Sequence, residues 1–271
     1  MNHSPASAKN TKRPTNLVQT IERVDQLLTI LSKSIQGMHL GELAAKVGLP
    51  KGTTHRLVSS LAYFGYIQQD LSDRKYKLGF KLVNLGELVL DQIDLRSVAH
   101  AHLLQLSQKA AEIAHLVVLD NDEALYIDKI QTAREGLHMS SRMGYRAPLH
   151  CTAVGKVLLA HQVPAEIERI IQARGLPRHT AHTITDVARF ISHLERVKKS
   201  GYALDDEEHS IGIRCVAAPI YNKNGEVVAA VSVSAPAVRA SLDLARHTLK
   251  PLVTSTAQTI SSDLGYDPDR R

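Results

Sequence analysis

The spacing of apolar residues outlines three short helices at the start of the chain. Ile21, Val24, Leu27, Leu28, Leu31 and Ile35 recur at helical intervals between Leu17 and Ile35, with Glu22, Arg23 and Lys33 on the opposite side. Leu40, Leu43, Ala44 and Val47 repeat the stripe over a shorter run that stops at Gly48, the residue type suited to left-handed backbone at a helix end. Leu49-Pro50 prevents continuation, and from Lys51 a third helix puts Leu57, Val58, Leu61 and Phe64 on one face before Gly65 closes it. Two short helices across a tight glycine-containing turn make a helix-turn-helix. Tyr66-Ile67-Gln68-Gln69 and Lys75-Tyr76-Lys77-Leu78 then flank the turn-rich Asp70-Leu71-Ser72-Asp73-Arg74, which predicts a hairpin, or wing.

Beyond the wing the pattern changes. Leu82, Val83, Leu85, Leu88, Val89 and Ile93 form a helical stripe too apolar to face water, so a helix over Phe80 to Ile93 is expected to pack on a partner subunit or on the boundary between modules. A further amphipathic helix runs from Arg96 to Ala111. Strand character follows at His115 to Asp120 and Leu125 to Asp128, and again at Val216 to Tyr221 and Val227 to Ser234 across Asn222-Lys223-Asn224-Gly225. Helices are predicted at Ala153 to His161, Ala165 to Arg174, Asp186 to Ser200 and Leu242 to Leu264. The fold class is α+β, with an antiparallel sheet backed by helices.

Charge sharpens this division. Met1 to Lys81 carries 12 basic and five acidic residues, a net +7, whereas Leu82 to Arg271 nets −1. A basic N-terminal third joined to a nearly neutral remainder is the footprint of a nucleic-acid module coupled to a module with another task. Met1 to Asn16 reads as a disordered basic arm without the apolar core of a signal peptide. The longest apolar-rich stretch, Val227 to Val238, is too short to span a bilayer, so no membrane partner is expected; two cysteines suit a reducing cytoplasm.

Lys51, Thr53, His55 and Arg56 at the start of the third helix, with Ser59 one turn on, are candidates to reach base edges of double-stranded DNA, while Thr54 is expected to face the core. Arg74, Lys75 and Lys77 on the wing are candidates for phosphate contact.

Leu43-Ala44, Gly48-Leu49-Pro50-Lys51, His55-Arg56-Leu57, Gly65-Tyr66 and Tyr76-Lys77-Leu78-Gly79 resemble the winged helix-turn-helix of the IclR family of bacterial regulators. Gly52 and Thr54 depart from that pattern, which usually has a small hydroxyl residue and an aliphatic there. His138 to Lys156, Gly201 to His209, Gly212 to Ala217 and Ala230 to Ser234 are similar to the family's effector domain, and His138-to-Lys156 looks closest to the branch responding to 2-keto-3-deoxygluconate and related sugar acids, although His138, Ser140 and Tyr145 differ from it.

The resemblance implies a GAF-like effector domain, homodimers that often pair into tetramers, and a site for a small carboxylate. It places effector contacts at Ala153 and Val154 opening a helix, Asp205, Cys215, and Ser232 and Ser234. Backbone amides opening a helix are anion donors, and serines two apart on a strand share a face. The expected organisation is a basic arm at 1–16, the winged helix-turn-helix at 17–79, a linker helix at 80–95, the effector domain at 96–266 and a tail at 267–271. The expected function is a transcription regulator, by default a repressor, controlled by a small acid.

Other readings fare less well. A phosphate loop before Gly155-Lys156 lacks the glycine it needs at His150 and the hydroxyl residue it needs at Val157. His150, Cys151, His209 and Cys215 lack the spacing of a typical structural zinc site, so no metal and no cofactor is expected. A cysteine hydrolase would need Cys151 or Cys215 beside a histidine and an oxyanion hole. The acidic run Asp205-Asp206-Glu207-Glu208 reads as a solvated turn, with only Asp205 singled out. The competing classes are a hydrolase or lyase acting on a small acid with an accessory basic domain, and a non-specific nucleic-acid or interaction protein.

Overall fold

The computed structural model describes residues 16–91, 94–131 and 142–268. The expected basic arm up to Thr15, the stretch containing His138 and Ser140, and the end of the tail lie outside the described residues. The chain divides into two compact units, Met1–Gln92 and Ile93–Arg271.

In the first unit α1 (Gln19–Ser32), α2 (Leu40–Val47) and α3 (Lys51–Tyr63) precede β1 (Ile67–Gln69), β2 (Tyr76–Leu78) and α4 (Lys81–Asp91). Glu42 accepts the His39 backbone N–H at 2.8 Å and so satisfies a donor before α2, while Gly48 closes that helix at φ 71°. Leu27, Leu31, Met38, Leu43, Val58, Leu61, Ile67 and Tyr76 form the core. The first helix ends at Ser32, one turn earlier than the apolar stripe predicts, and Ile35 is 92% exposed. The cause is tertiary. Met38 exchanges backbone hydrogen bonds with Tyr76 at 3.0 and 2.8 Å, which draws the preceding residues off the helix axis into a turn. β1 and β2 pair antiparallel with Ile67 opposite Leu78. On α4, Val83, Leu85 and Leu88 are exposed within the chain.

The second unit contains α5 (Asp94–Ala110), β3 (Ile113–Asp120), β4 (Glu123–Ile130), β5 (Arg146–Ala147), α6 (Ala153–Ala160), α7 (Pro164–Arg174), α8 (Val187–Ser200), β6 (Ala203–Asp206), β7 (Ile213–Tyr221) and β8 (Val227–Pro236). Its antiparallel sheet has the order β5-β4-β3-β8-β7-β6. α5 packs on one face together with α10 (Lys250–Asp263), and α6 packs on the other, where it also meets α8. The core on the α6 side joins Val117, Tyr126, Ala203, Ala217 and Ala230 of the sheet to Val154, Val157 and Leu158 of α6 and Phe190 and Leu194 of α8.

Three features depart from the periodicity. β5 and β6 were not legible as strands, and β6 runs through the supposed solvated turn, where Asp205 and Glu208 are buried. The predicted single helix Leu242 to Leu264 is instead a short α9 (Leu242–Leu244), a π turn at Ala245–Leu249 and α10. Pro251 accounts for the break, because in a regular α-helix its ring would strike the carbonyl four residues back, and a wider turn makes room.

Candidate nucleic-acid interface and ligand site

α3 is anchored by Thr54. That residue is fully buried, and both its N–H and its hydroxyl donate to the Pro50 carbonyl, at 3.0 and 3.2 Å. Helical geometry then turns the neighbouring positions outward: Lys51, His55, Arg56 and Ser59 are exposed and Thr53 is half-buried. Arg56 forms no ion pair among the described residues, so its guanidinium is available as a planar donor fork. A Cβ at Gly52 would meet nothing within 4 Å, so packing does not demand glycine there.

The wing is held by its own acids. Asp70 accepts hydrogen bonds from the Ser72 hydroxyl at 2.6 Å, the Ser72 N–H at 3.0 Å and the Lys77 ammonium at 3.1 Å, and these donors, Ser72 first, hold its carboxyl well below the usual range. Lys75 pairs with Asp73 at 3.0 Å. Arg74 is exposed at φ 59° at the end of the turn and forms no ion pair among the described residues. The three basic candidates therefore differ: Lys75 and Lys77 already have counter-charges, and Arg74 does not.

In the second unit the antiparallel register aligns the other candidates. Asp205 lies opposite Cys215, and Cys215 opposite Ser234; one row along, Ala217 lies opposite Ser232, which lies opposite His115. All six share the sheet face that carries α6, since Ala203, Ala217 and Ala230 at alternate positions belong to the core on that side. The His115 ring meets Tyr126 edge-on at 5.0 Å, extending the face onto β4.

The opening of α6 lies on the same side. Thr152 caps it by accepting the Gly155 N–H at 3.1 Å while donating to the Pro148 carbonyl at 2.8 Å. The N–H groups of Ala153 and Val154 have no acceptor among the described residues. A Cβ on Gly155 would fall 2.4 Å from the Leu149 Cα and carbonyl oxygen, so only glycine allows this loop to cross so closely.

Beside these residues lies a buried charge cluster whose pairing no local sequence pattern announces. Lys156 is fully buried, and its ammonium donates to the Leu204 carbonyl and to Glu208 Oε1 at 2.5 Å. Burial raises the Glu208 carboxyl, and it pushes Asp205 up to about 7 against the opposing pull of Lys156 and of the Glu208 N–H, which Asp205 accepts at 2.8 Å. A lysine among Val154, Gly155, Val157 and Leu158 signals a buried partner, but nothing local says which acid supplies it.

Cys151 immediately precedes the α6 cap. Its thiol is pushed up to about 12, chiefly by burial, and its sulfur lies 3.6 Å from His209 Nδ1, while His209 Nε2 lies 3.4 Å from the Tyr145 hydroxyl. Burial raises the Cys215 thiol as well.

Comparison with known proteins accounts for both units. Residues 20–71 match the IclR helix-turn-helix domain, and residues 87–262 match the bacterial transcriptional regulator IclR C-terminal domain. The chain is 34% identical to the HTH-type transcriptional regulator XynR of Escherichia coli K12 over 92% of this chain and 98% of that protein. It is also 34% identical to the HTH-type transcriptional regulator KdgR of the same organism, over 96% and 98%. The crystal structure of an IclR homolog complexed with 4-hydroxybenzoate from Microbacterium hydrocarbonoxydans superposes with a TM-score of 0.78 at 26% identity, covering 90% of this chain and 98% of that one. With its exposed third helix and wing in one unit and an antiparallel sheet between helices in the other, the chain belongs to the IclR family of bacterial transcriptional regulators.

Proposed function

We propose that this regulator represses its target by laying the exposed face of α3, with Lys51, Thr53, His55, Arg56 and Ser59, in the major groove of operator DNA, and that a small hydroxy or keto acid controls that binding. Arg74 on the wing supplies a phosphate contact, with Lys75 and Lys77 contributing less. The acid's carboxylate binds the N–H groups of Ala153 and Val154, and its hydroxyl or carbonyl groups meet Ser232, Ser234 and Asp205, with Cys215 beside them. The observation that carries the reading is the pair of acceptor-free N–H groups opening α6 on the sheet face that gathers those side chains. The exposed apolar face of α4 supports a second copy of the chain as its cover.

The hydrolase alternative needs an activated thiol. Cys151 has the opposite, a thiol held far above neutrality by burial. The relatives are transcription regulators, which supports a binding role in place of catalysis.

A thermal-shift screen of sugar acids, keto acids and aromatic acids tests the site. A true effector at 100 times its Kd should add about 2.7 kcal/mol of stability. The shift should vanish in Asp205→Ala or Ser234→Ala while operator footprinting survives. An acid that stabilises those variants as well as the parent would refute this placement.

A further inference from the structure

We propose that His150, Cys151, His179 and His209 form a tetrahedral transition-metal site, suited to zinc(II), at the edge of the effector unit. The ligand atoms of His150, Cys151 and His179 all lie within 4.8 Å of one another. His209 lies beside that group and outside it: its Nδ1 is 3.6 Å from the Cys151 sulfur and its ring 5.3 Å from that of His179, so it becomes the fourth ligand by a side-chain adjustment as the ion binds. Zinc bonds of about 2.3 Å to sulfur and about 2.0 Å to nitrogen, set at the tetrahedral angle, require a sulfur-to-nitrogen separation of about 3.5 Å. The Cys151–His209 pair already has that spacing, and the ligand atoms of His150, Cys151 and His179, within 4.8 Å of one another, draw in to it around the ion.

The surroundings orient the rings for this task. His150 Nε2 donates to the Pro177 carbonyl at 2.9 Å, and His209 Nε2 faces the Tyr145 hydroxyl. The first arrangement leaves His150 Nδ1 as the nitrogen with a lone pair, as outer partners of metal-bound histidines do. Three separate segments supply the ligands, and the fold ties two of them together: Thr180 donates to the Glu207 carbonyl and Thr183 to the Glu208 carbonyl, each at 2.7 Å. Those bonds hold the loop carrying His179 against the loop carrying His209. Cys151 is buried whereas His179 is exposed, so an ion has an entry path from solvent and a thiolate to meet inside. One thiolate and three imidazoles in tetrahedral array select zinc over magnesium or calcium.

Binding forms one zinc–sulfur and three zinc–nitrogen bonds. The Cys151 thiol proton passes to solvent, and no electron is transferred. A bound ion with one thiolate leaves a net positive charge one residue before the α6 cap. The site requires no acid ligand, so it stands or falls independently of the effector assignment.

The test uses full-length protein stripped with a chelator and titrated with cobalt(II), then with zinc(II) in competition. The expected result is one tight equivalent per chain, with tetrahedral cobalt absorption and a sulfur-to-cobalt charge-transfer band that zinc abolishes. Cys151→Ser should remove the charge-transfer band. His179→Ala, at an exposed position, should weaken binding by about 10-fold or more while leaving the metal-free melting temperature unchanged. Absence of a tight equivalent overturns the proposal, as does a His179→Ala variant that binds cobalt as tightly as the parent. Should Cys151→Ser fail to fold, the His179→Ala result decides.

Discussion

Lys156→Met removes the positive charge from the middle of the effector unit and leaves its acid behind. The lysine is 0% exposed and Glu208 is 7% exposed, so neither group has water to fall back on. After the substitution Glu208 Oε1 loses the ammonium at 2.5 Å, Oε2 remains without a partner among the described residues, and the Leu204 carbonyl loses its donor. Methionine is close to the lysine stem in volume, so the cavity term is small and the electrostatic loss dominates. Breaking one side of a buried pair destabilises by about 3–5 kcal/mol. Neutralising both sides should restore most of it, because Lys156→Met with Glu208→Gln leaves no uncompensated charge in the pair and Asp205, already raised by burial, then takes up a proton. Urea unfolding of the full chain at neutral pH, followed by circular dichroism, measures both variants. A single variant within about 1 kcal/mol of the parent, or a double variant no better than the single one, would refute the idea that these charges compensate each other.

Four further outcomes are expected. Arg56→Ala should abolish operator footprinting without altering acid binding, and Arg74→Ala should reduce the slope of log K against log salt by about 0.9, whereas Lys75→Ala should change it less because Asp73 already neutralises that ammonium; equal slopes for the two wing variants would contradict this. His115 is buried and held down to about 3 by burial, so between about pH 6.5 and 3 the unfolded chain takes up a proton that the folded chain refuses. Stability should therefore fall as pH falls through that window, by up to about 1.4 kcal/mol per unit from this residue, and His115→Gln should flatten the profile by that amount in urea titrations; parallel profiles would sink the assignment. Gly155→Ala places a methyl 2.4 Å from the Leu149 backbone and should cost about 1–3 kcal/mol while blunting the acid-induced thermal shift, and an unchanged melting temperature would show that the loop has room.

The N-terminal unit was the more legible half. Its helix ends are set by Gly48, Pro50 and Gly65 acting within a few residues of themselves, and Thr54 was assignable to the core from its distance to Leu57 and Val58. The early end of α1 was hidden because Tyr76, 38 positions beyond Met38, causes it. In the second unit alternation on one strand placed Ser232 and Ser234 on a common face, but it gave no sign that Asp205 and Cys215 would share the row of Ser234. That alignment depends on the β6-β7-β8 register, and β6 is too short and too acidic to announce itself as a strand.

Composition, periodicity and turn chemistry thus determined most of the helices and strands, where the basic module lies, and the family to which the motifs point, because each is decided by residues close together in the chain. The tertiary structure alone decided that Lys156 meets Glu208, that Asp70 claims Lys77 across the wing, and that His179 comes up against His150 and Cys151. These are meetings of side chains from different loops and elements. Their partners are selected by packing and by desolvation of the charges involved, and neither quantity exists until the chain has folded.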